Sequence, residues 1–323
     1  MALTDMKVFN DYLYHAITET EDQQVALFNE ASSGTITLTT KRNVGDYAQK
    51  ASFKAISGLI RRRNSYGTGN VDPVVLAMLQ NSAVKIAGGT PPISFEPQQF
   101  TWIQQNPELA AVIIGEQVAQ GRMQDMLNSG LGAARAAFVN VGAAALYTVP
   151  SNGKTTLNAL NRGAQLFGDR SQALAAWVMH STPQHDIFDQ ALTNTTQLFS
   201  FGTVQVREDG FGRRYVVTDS PALAITSGSP AVTNYYTLGL VQNGIVVEDN
   251  DDFFANLSTT NGTENIQRTW QAEYTFNLSL KGYTWDTANG GHSPTDSALS
   301  TGTNWDKTAT SLKDTAGIVV KSR

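Results

Sequence analysis

One stretch of the sequence alternates two kinds of side chain over fifteen positions: Ile266-Gln267-Arg268-Thr269-Trp270-Gln271-Ala272-Glu273-Tyr274-Thr275-Phe276-Asn277-Leu278-Ser279-Leu280. Every second side chain is apolar, and only Arg268 interrupts the apolar face. Such alternation predicts a β-strand with one buried and one solvated face. At about 3.3 Å per residue it would span roughly 50 Å, whereas most strands have about 3–10 residues. The stretch therefore favours an extended, flat protein over a compact enzyme.

The segment before this strand, residues 155–245, alternates predicted helices and strands. We expect a helix from Thr156 to Phe167, a buried strand over 173–179, and a capped helix from Ser181 to Leu192. Two turn signals, Asp209-Gly210 and Asn243-Gly244, each lie between short apolar runs. Both predict a β-hairpin.

Two helix start signals lie further towards the N-terminus. Asp72-Pro73 predicts a helix that continues through Ala83 and stops at Gly88-Gly89. Asn106-Pro107 predicts a second, long helix, which Gly130 and Gly132 would bend or break. The expected apolar stripe of this long helix is Leu109, Val112, Ile113, Ala119, Met123 and Met126.

The first 65 residues divide into an acidic and a basic part. Residues 1–30 contain six acidic residues and Lys7, and their apolar spacing predicts a helix or arm. The apolar positions are Phe9, Leu13, Ile17, Val25 and Phe28. Residues 31–65 contain seven basic residues and one acidic residue. A strand at Thr35–Thr39, a turn at Val44–Tyr47 and a returning segment at Ser52–Ile60 predict a basic hairpin that projects from the body.

The composition excludes several classes of protein. Hydrophobic residues make up 41% and charged residues 16%, which favours a large core over a disordered chain. The net charge of −5 argues against a dedicated nucleic-acid binder. The absence of cysteine excludes disulfide scaffolds, thiolate metal sites and cysteine nucleophiles. We also expect neither a signal peptide nor a membrane span.

Three motif fragments favour a structural interpretation over a catalytic one. Gly153-Lys154-Thr155 lacks the earlier glycine of a phosphate loop, since that position is Thr148, so it predicts a turn that caps the next helix. Gly130-Leu131-Gly132 lacks the third small residue of a dinucleotide fingerprint and favours a close helix approach or a bend. His180 and His185 are five residues apart, whereas a helical metal pair needs three or four.

Two charged runs complete the set of candidate sites. The first is Glu248, Asp249, Asp251 and Asp252. It lacks the glycine and the final glutamate of a calcium loop, since those positions are Phe254 and Thr260, so we expect a solvated acidic turn. The second run, Arg61–Arg63, leaves three interpretations: pairing with another subunit's carboxylates, which we favour, a solvated hairpin tip, or contact with nucleic-acid phosphate. We therefore expect no catalytic residue, no cofactor and no metal site.

The order of these elements, with several local motifs, resembles the major capsid proteins of tailed bacteriophages (Caudoviricetes). The motifs are Trp177-Val178-Met179-His180-Ser181, Leu280-Lys281-Gly282-Tyr283-Thr284-Trp285, Ser293-Pro294-Thr295, Asn304-Trp305 and the segment 313–320. The resemblance implies the α+β fold called Hong Kong 97-type. Its parts would be an N-terminal arm (1–33), an E-loop hairpin (34–66), a P-domain with a spine helix (67–149), an α/β A-domain (150–255), and the long P-domain strand with a C-terminal tail (256–323).

The same resemblance implies a structural role rather than an enzymatic one. Pentamers and hexamers would form an icosahedral head around double-stranded DNA, which would be contacted weakly and without sequence specificity. The implied partners are a separate scaffolding protein, a portal and, in some relatives, a decoration protein. The protein would reside in the virion after assembly in the cytoplasm of the bacterial host. The alternatives left open are an encapsulin-like cargo shell, a tail tube, and an α/β enzyme that uses residues 150–245.

The charge division suggests which residues make contacts between subunits. The basic hairpin of one subunit would lie over the acidic arm or body of its neighbour. The predicted basic residues are Lys41, Arg42, Lys50, Lys54, Arg61, Arg62 and Arg63, and the predicted acidic residues are Glu19, Glu21 and Asp22.

Overall fold

The structure is a computed structural model with six α-helices and seventeen strands in the residues that it describes. Those residues are 2–53, 61–73, 78–96, 99, 103, 105–150, 153–188, 195–201, 204–209, 214–262, 264 and 266–323. The helices are α1 (Ala2–Ala31), α2 (Pro107–Val141), α3 (Leu157–Gln165), α4 (Ser181–Phe188), α5 (Thr287–Gly290) and α6 (Asp296–Leu299). No helix in these ranges is long and apolar enough to cross a membrane.

The strands form two large sheets and one small sheet of two strands. In chain order they are β1 (Ile36–Thr40), β2 (Tyr47–Phe53), β3 (Met78–Gly89), β4 (Ile93–Phe95), β5 (Leu146–Thr148), β6 (Leu174–Met179), β7 (Thr195–Phe201), β8 (Val204–Asp209), β9 (Arg214–Thr218), β10 (Ala224–Ser227), β11 (Val232–Val241), β12 (Ile245–Asp249), β13 (Phe254–Thr260), β14 (Gln267–Leu280), β15 (Tyr283–Trp285), β16 (Trp305–Lys307) and β17 (Gly317–Ser322). Strands β15 and β16 form the two-stranded sheet.

The first sheet is organised around the fourteen-residue strand β14, as the alternation of the sequence predicts. Its order is β1-β12-β14-β3-β2, and the N-terminal half of β14 also pairs with β13 and β4. The side chains of Trp270, Phe276 and Leu278 are buried, whereas Gln271 and Glu273 are exposed. One face of β14 thus forms part of the core, and the other faces solvent in the N-terminal half of the strand, whereas Asn277 on that face is buried.

The second sheet has the order β5-β17-β11-β6-β9-β8-β7, with β10 paired to β11. Helix α3 covers one face, where Leu160 and Phe167 pack with Trp177 and Val320. The predicted helix at 156–167, the strand at 173–179 and the hairpin at Asp209-Gly210 are confirmed. The predicted end of α4 and residues 210–213 of the hairpin lie outside the described residues.

Helices α1 and α2 lie side by side and run parallel, with Ala16 close to Gly115 and Glu21 close to Arg122. The predicted helical arm and the helix start at Asn106-Pro107 are confirmed. Part of the predicted stripe of α2 is wrong, because Leu109 is 55% exposed while Ala110 is buried. Small side chains face α1 here because two helices approach most closely where their side chains are short.

The glycines of α2 do not bend or break the helix, which runs without interruption from Pro107 to Val141. They allow close packing instead. A Cβ on Gly130 would lie 3.0 Å from Cγ2 of Ile245, and one on Gly132 would lie 3.0 Å from Oγ of Ser300. The close-approach alternative for Gly130-Leu131-Gly132 is therefore the correct one, with β12 and the residue that follows α6 as the neighbours.

The helix predicted after Asp72-Pro73 is wrong from Met78 onwards, where the chain forms β3. Residues 74–77 lie outside the described residues. Strand β3 pairs with both β2 and β14, and its buried Val84 and Ile86 alternate with the more exposed Lys85 and Ala87. Pairing on both sides supplies hydrogen bonds and burial that outweigh a local helix signal.

The predicted hairpin within residues 34–66 has the wrong partner strands. Strand β1 belongs to the body, since it pairs with β12 in parallel and buries Ile36 and Leu38. The hairpin ribbon is instead β2 paired with β3. Residue Lys54 and the rest of 54–60 lie outside the described residues, and the predicted domain boundaries stay a prediction.

The turn at Asn243-Gly244 joins the two sheets and does not form the predicted hairpin. Strand β11 is flanked by β17 and β6 in the second sheet, so β12 pairs in the first sheet. The turn is held from outside, because the Asn243 N–H donates to the carbonyl of Gly34 at 2.7 Å and the Gly244 N–H donates to that of Thr35 at 3.1 Å. The local turn residues could not reveal these partners.

Candidate assembly site

A buried ion cluster ties the N-terminal helix to the centre of the fold. Arg122 of α2 is 4% exposed in its side chain, and its Nη1 lies 2.7 Å from Oε2 of Glu21 in α1. Its Nη2 lies 2.7 and 2.6 Å from the two carboxylate oxygens of Asp249 in β12. The guanidinium also lies 4.8 Å from the ring centre of Tyr274 and 5.6 Å from that of Phe253. One arginine therefore joins α1, α2 and the first sheet.

The cluster contains two carboxylates and one guanidinium, so its charges do not balance. Burial raises the pKa of the Glu21 carboxyl to about 7, although the charge of Arg122 opposes this shift. Burial also raises the pKa of Asp249. Nearby, the Tyr274 hydroxyl donates to Asp125 at 2.8 Å, and the pKa of both groups is raised, mainly by burial. Proton uptake by Glu21 is thus favoured near neutral pH.

We predict that the folded chain loses stability as the pH rises from about 5 to about 8, by about 1 kcal/mol per pH unit between about pH 5 and 6.5 and by about 0.7 kcal/mol per pH unit at about pH 7. The raised pKa of Glu21 favours its protonated form in the folded state, so this contribution is present at low pH and is lost as the pH passes 7. The buried Asp249 acts in the same direction. Urea unfolding at several pH values measures the slope.

The matched control for this prediction is the exposed Glu19 on the same helix. Glu21→Gln should flatten the slope, because the amide keeps the shape of the side chain without its titration. Glu19→Gln should leave the slope unchanged. Equal slopes for the wild type and Glu21→Gln would contradict the prediction.

The acidic run at the end of β12 forms ion pairs with basic side chains of the same chain. Lys50 lies 2.8 Å and Lys41 3.9 Å from Oε1 of Glu248, and Arg42 lies 2.8 Å from Asp251. Asp252 accepts a hydrogen bond from the N–H of Thr275 at 2.7 Å. The expected solvated turn is wrong at its first residues, because Glu248 is 6% exposed. No cluster of three or more His, Asp and Glu that could hold a metal ion occurs in the described ranges.

The predicted contact residues therefore divide into two groups. Glu21, Lys41, Arg42 and Lys50 already form ion pairs within their own chain. The others that the structure describes are exposed, namely Glu19, Asp22, Arg61, Arg62 and Arg63. A contact role between subunits stays a prediction for both groups. Arg122 is not among the residues predicted from the sequence, where its only signal is a single arginine beside Met123, which lies on the apolar stripe of a long helix.

The exposed segment 61–73 lies in the chain between β2 and β3, which pair to form the hairpin ribbon. All residues from 61 to 73 are exposed, and the described residues offer Arg61–Arg63 no ion pair. The hydroxyl of Tyr47 in β2 donates to the carbonyl of Gly291 at 3.0 Å. The N–H of Ser82 in β3 donates to Oγ1 of Thr284 at 2.8 Å. The base of the ribbon is thus anchored on both strands, while the three arginines are exposed.

The remaining motif fragments have structural partners. Lys154 lies 2.8 Å from Asp186, and Oγ1 of Thr156 accepts a hydrogen bond from the N–H of Ala159 at the start of α3. The Gly-Lys-Thr fragment is therefore the predicted helix-capping turn. His180 lies 3.5 Å from Asp219 and contacts Ser181 beside it.

Comparisons with known proteins agree with this architecture. The sequence model of the major capsid protein 13-like (Gp13-like) family matches residues 5–319. The capsid asymmetric unit of cyanophage Pam1 has a TM-score of 0.52 and 10% identity, with 89% of this chain and 88% of that chain covered. The capsid of Myoviridae phage XM1 has a TM-score of 0.48 and 10% identity, with 90% of each chain covered. No curated protein matches the chain.

The family match covers nearly the whole chain, and the likeness to the Pam1 subunit supports the same fold independently. The fold class predicted from the sequence, with its mixture of helices and sheets, is confirmed. The resemblance to tailed-phage capsid proteins is confirmed as well. This chain belongs to the major capsid protein 13-like family and has the Hong Kong 97-type capsid fold.

Proposed function

We propose that copies of this chain assemble through pentamers and hexamers into an icosahedral phage head that encloses double-stranded DNA. The observation that carries the proposal is the match of the capsid family to residues 5–319. The long strand β14 and the anchored ribbon add support, because both suit a thin wall with contacts at its edges. The net charge of −5 also suits a wall that holds DNA only weakly.

The same proposal includes partners and a place of action. A separate scaffolding protein would direct assembly, a portal would occupy one vertex, and a decoration protein could bind the finished surface. Assembly would take place in the cytoplasm of the bacterial host, and the product would be part of the virion. The role is structural and requires no catalytic group or cofactor.

The exposed segment 61–73, between β2 and β3, is the part of the chain best suited to contact a neighbouring subunit. Arg61–Arg63 are exposed and lack an ion pair in the described part of the chain, while Glu19 and Asp22 form an exposed acidic surface on α1. A single exposed ion pair contributes only about 0–1 kcal/mol. Many such contacts, each weak, would set the position of subunits in a shell and still allow wrongly placed subunits to leave.

We predict that the triple variant Arg61→Glu, Arg62→Glu, Arg63→Glu folds normally but forms no shells. The side chains are exposed, so the substitutions leave the core unchanged, while charge reversal turns the attraction between subunits into repulsion. Sedimentation of lysates from assembling cells would measure shells, and circular dichroism of the soluble fraction would measure folding.

The control is the corresponding triple lysine variant, which keeps the positive charge. It should assemble to nearly the wild-type yield. Shells of normal size and yield from the glutamate variant would show that the hairpin charges do not direct assembly.

A further inference from the structure

Strand β13 forms an open edge of the first sheet. It pairs with β14 over all seven residues from Phe254 to Thr260. On its other side, no backbone hydrogen bond joins it to any residue that the structure describes. Five of its seven residues are exposed, namely Phe254, Asn256, Ser258, Thr259 and Thr260. Its outward N–H and C=O groups are therefore available to another strand.

Other edges of this sheet carry protection that β13 lacks. Proteins usually guard an edge with charged residues, proline, a short strand or a covering group. On β1, the side chain of Asn29 bonds both the C=O and the N–H of Leu38, at 2.7 and 2.9 Å. Strand β2 carries Lys50, and β4 has only three residues and follows Pro91-Pro92. Strand β13 is longer than β4 and contains neither a charged residue nor a proline.

The sequence of β13 is compatible with pairing to itself. In an antiparallel pair of two identical strands centred on Leu257, Leu257 lies opposite Leu257 and Asn256 lies opposite Ser258. Ala255 then lies opposite Thr259, and Phe254 opposite Thr260. No residue of β13 is charged, so no opposed pair brings together like charges, which would be destabilising. Any other register would pair fewer residues.

We propose that β13 is a docking edge for a second copy of this chain, which adds its own β13 as an antiparallel strand about a twofold axis through Leu257. The proposal rests on the proposed function, because a shell brings many copies together. Rings of five or six subunits close through contacts between unlike surfaces, whereas contacts about a twofold axis join like surfaces. A twofold edge contact would therefore join one ring to the next.

A single cysteine tests the register directly, because the chain contains no other cysteine. Opposed residues in an antiparallel pair have Cα atoms about 4.5–5.5 Å apart, which is within the range for a disulfide. Leu257→Cys should therefore form a disulfide-linked dimer when assembled shells are oxidised, seen on a gel without reductant. Thr260→Cys is the control, since its two copies would lie about 20 Å apart in this register.

A pair of charge variants tests the edge without a covalent bond. Asn256→Lys with Ser258→Lys would oppose lysines on both sides of the axis, and shells should be lost. Asn256→Lys with Ser258→Glu would instead oppose lysine to glutamate in the same register, and shells should form. Both Asn256 and Ser258 are exposed in the single chain, so folding should be unaffected in either variant.

The outcomes separate this proposal from the proposed function. Wild-type shells together with an uncrosslinked Leu257→Cys and equal assembly of the two charge variants would overturn the β13 contact and leave the shell function standing. No shells from the wild type would overturn both. A Leu257→Cys dimer, with no dimer from Thr260→Cys, is the result that we expect.

Discussion

Replacing Arg122 with alanine should lower the free energy of unfolding by about 3–5 kcal/mol. The substitution removes the cation between Glu21 and Asp249 and leaves two carboxylates in a site where Arg122 itself is 4% exposed. It also removes the contact with the ring of Tyr274. Since α1, α2 and β12 meet at this one side chain, the loss should appear first as detachment of α1 from the body.

Urea unfolding measures the total effect, and hydrogen exchange of α1 locates it. Arg42→Ala is the matched control, because its ion pair with Asp251 is exposed, with 76% of the arginine side chain accessible. We expect that control to cost at most about 1 kcal/mol. The combined variant Arg122→Met, Glu21→Gln, Asp249→Asn should recover part of the loss, because none of these three buried positions then carries a charge. Equal costs for Arg122→Ala and Arg42→Ala would contradict the account of the cluster.

Replacing Phe276 with alanine should cost about 3–5 kcal/mol, as for other fully buried phenylalanines. Phe276 is 0% exposed and lies at the point where β14 pairs with β3 on one side and with β12 on the other. A cavity there would weaken the packing of α2 on the first sheet. The midpoint of urea unfolding should fall with little change in its slope.

Ile266→Ala is the control for Phe276→Ala. It belongs to the same alternating run in the sequence, but it precedes β14 and is 51% exposed. Its replacement should change the free energy of unfolding by about 0.5 kcal/mol or less. Similar losses at the two positions would mean that the buried face of β14 does not organise the core.

The parts of the fold that the sequence predicts are those whose signal is local. The alternation over 266–280 is enough to predict β14, since apolar and polar residues alternate within this one segment. The helix start at Asn106-Pro107 is equally local. For β3 the deciding information lies elsewhere, in the partners β2 and β14, so the local start signal at Asp72-Pro73 was misleading.

In the candidate site, too, the local charge pattern is predictable and the distant partners are not. The basic character of residues 31–65 and the acidic run at 248–252 are visible in the sequence, but their pairing is not. Arg122 is 101 residues from Glu21 and 127 residues from Asp249. Lys50 is 198 residues from Glu248. Only the packing of α1 against the first sheet and the pairing of β2 within that sheet bring these groups together, and a single sequence carries no record of that proximity.

Electron microscopy of the purified chain, alone and after coexpression with the genes next to its own, tests the central claim most directly. The account predicts closed polyhedral shells, or rings of five or six subunits, in at least one of the two samples. Long cylinders would favour a tail tube, and closed particles that never contain DNA would favour a cargo shell. A chain that remains a single monomeric species in both samples would contradict the capsid function.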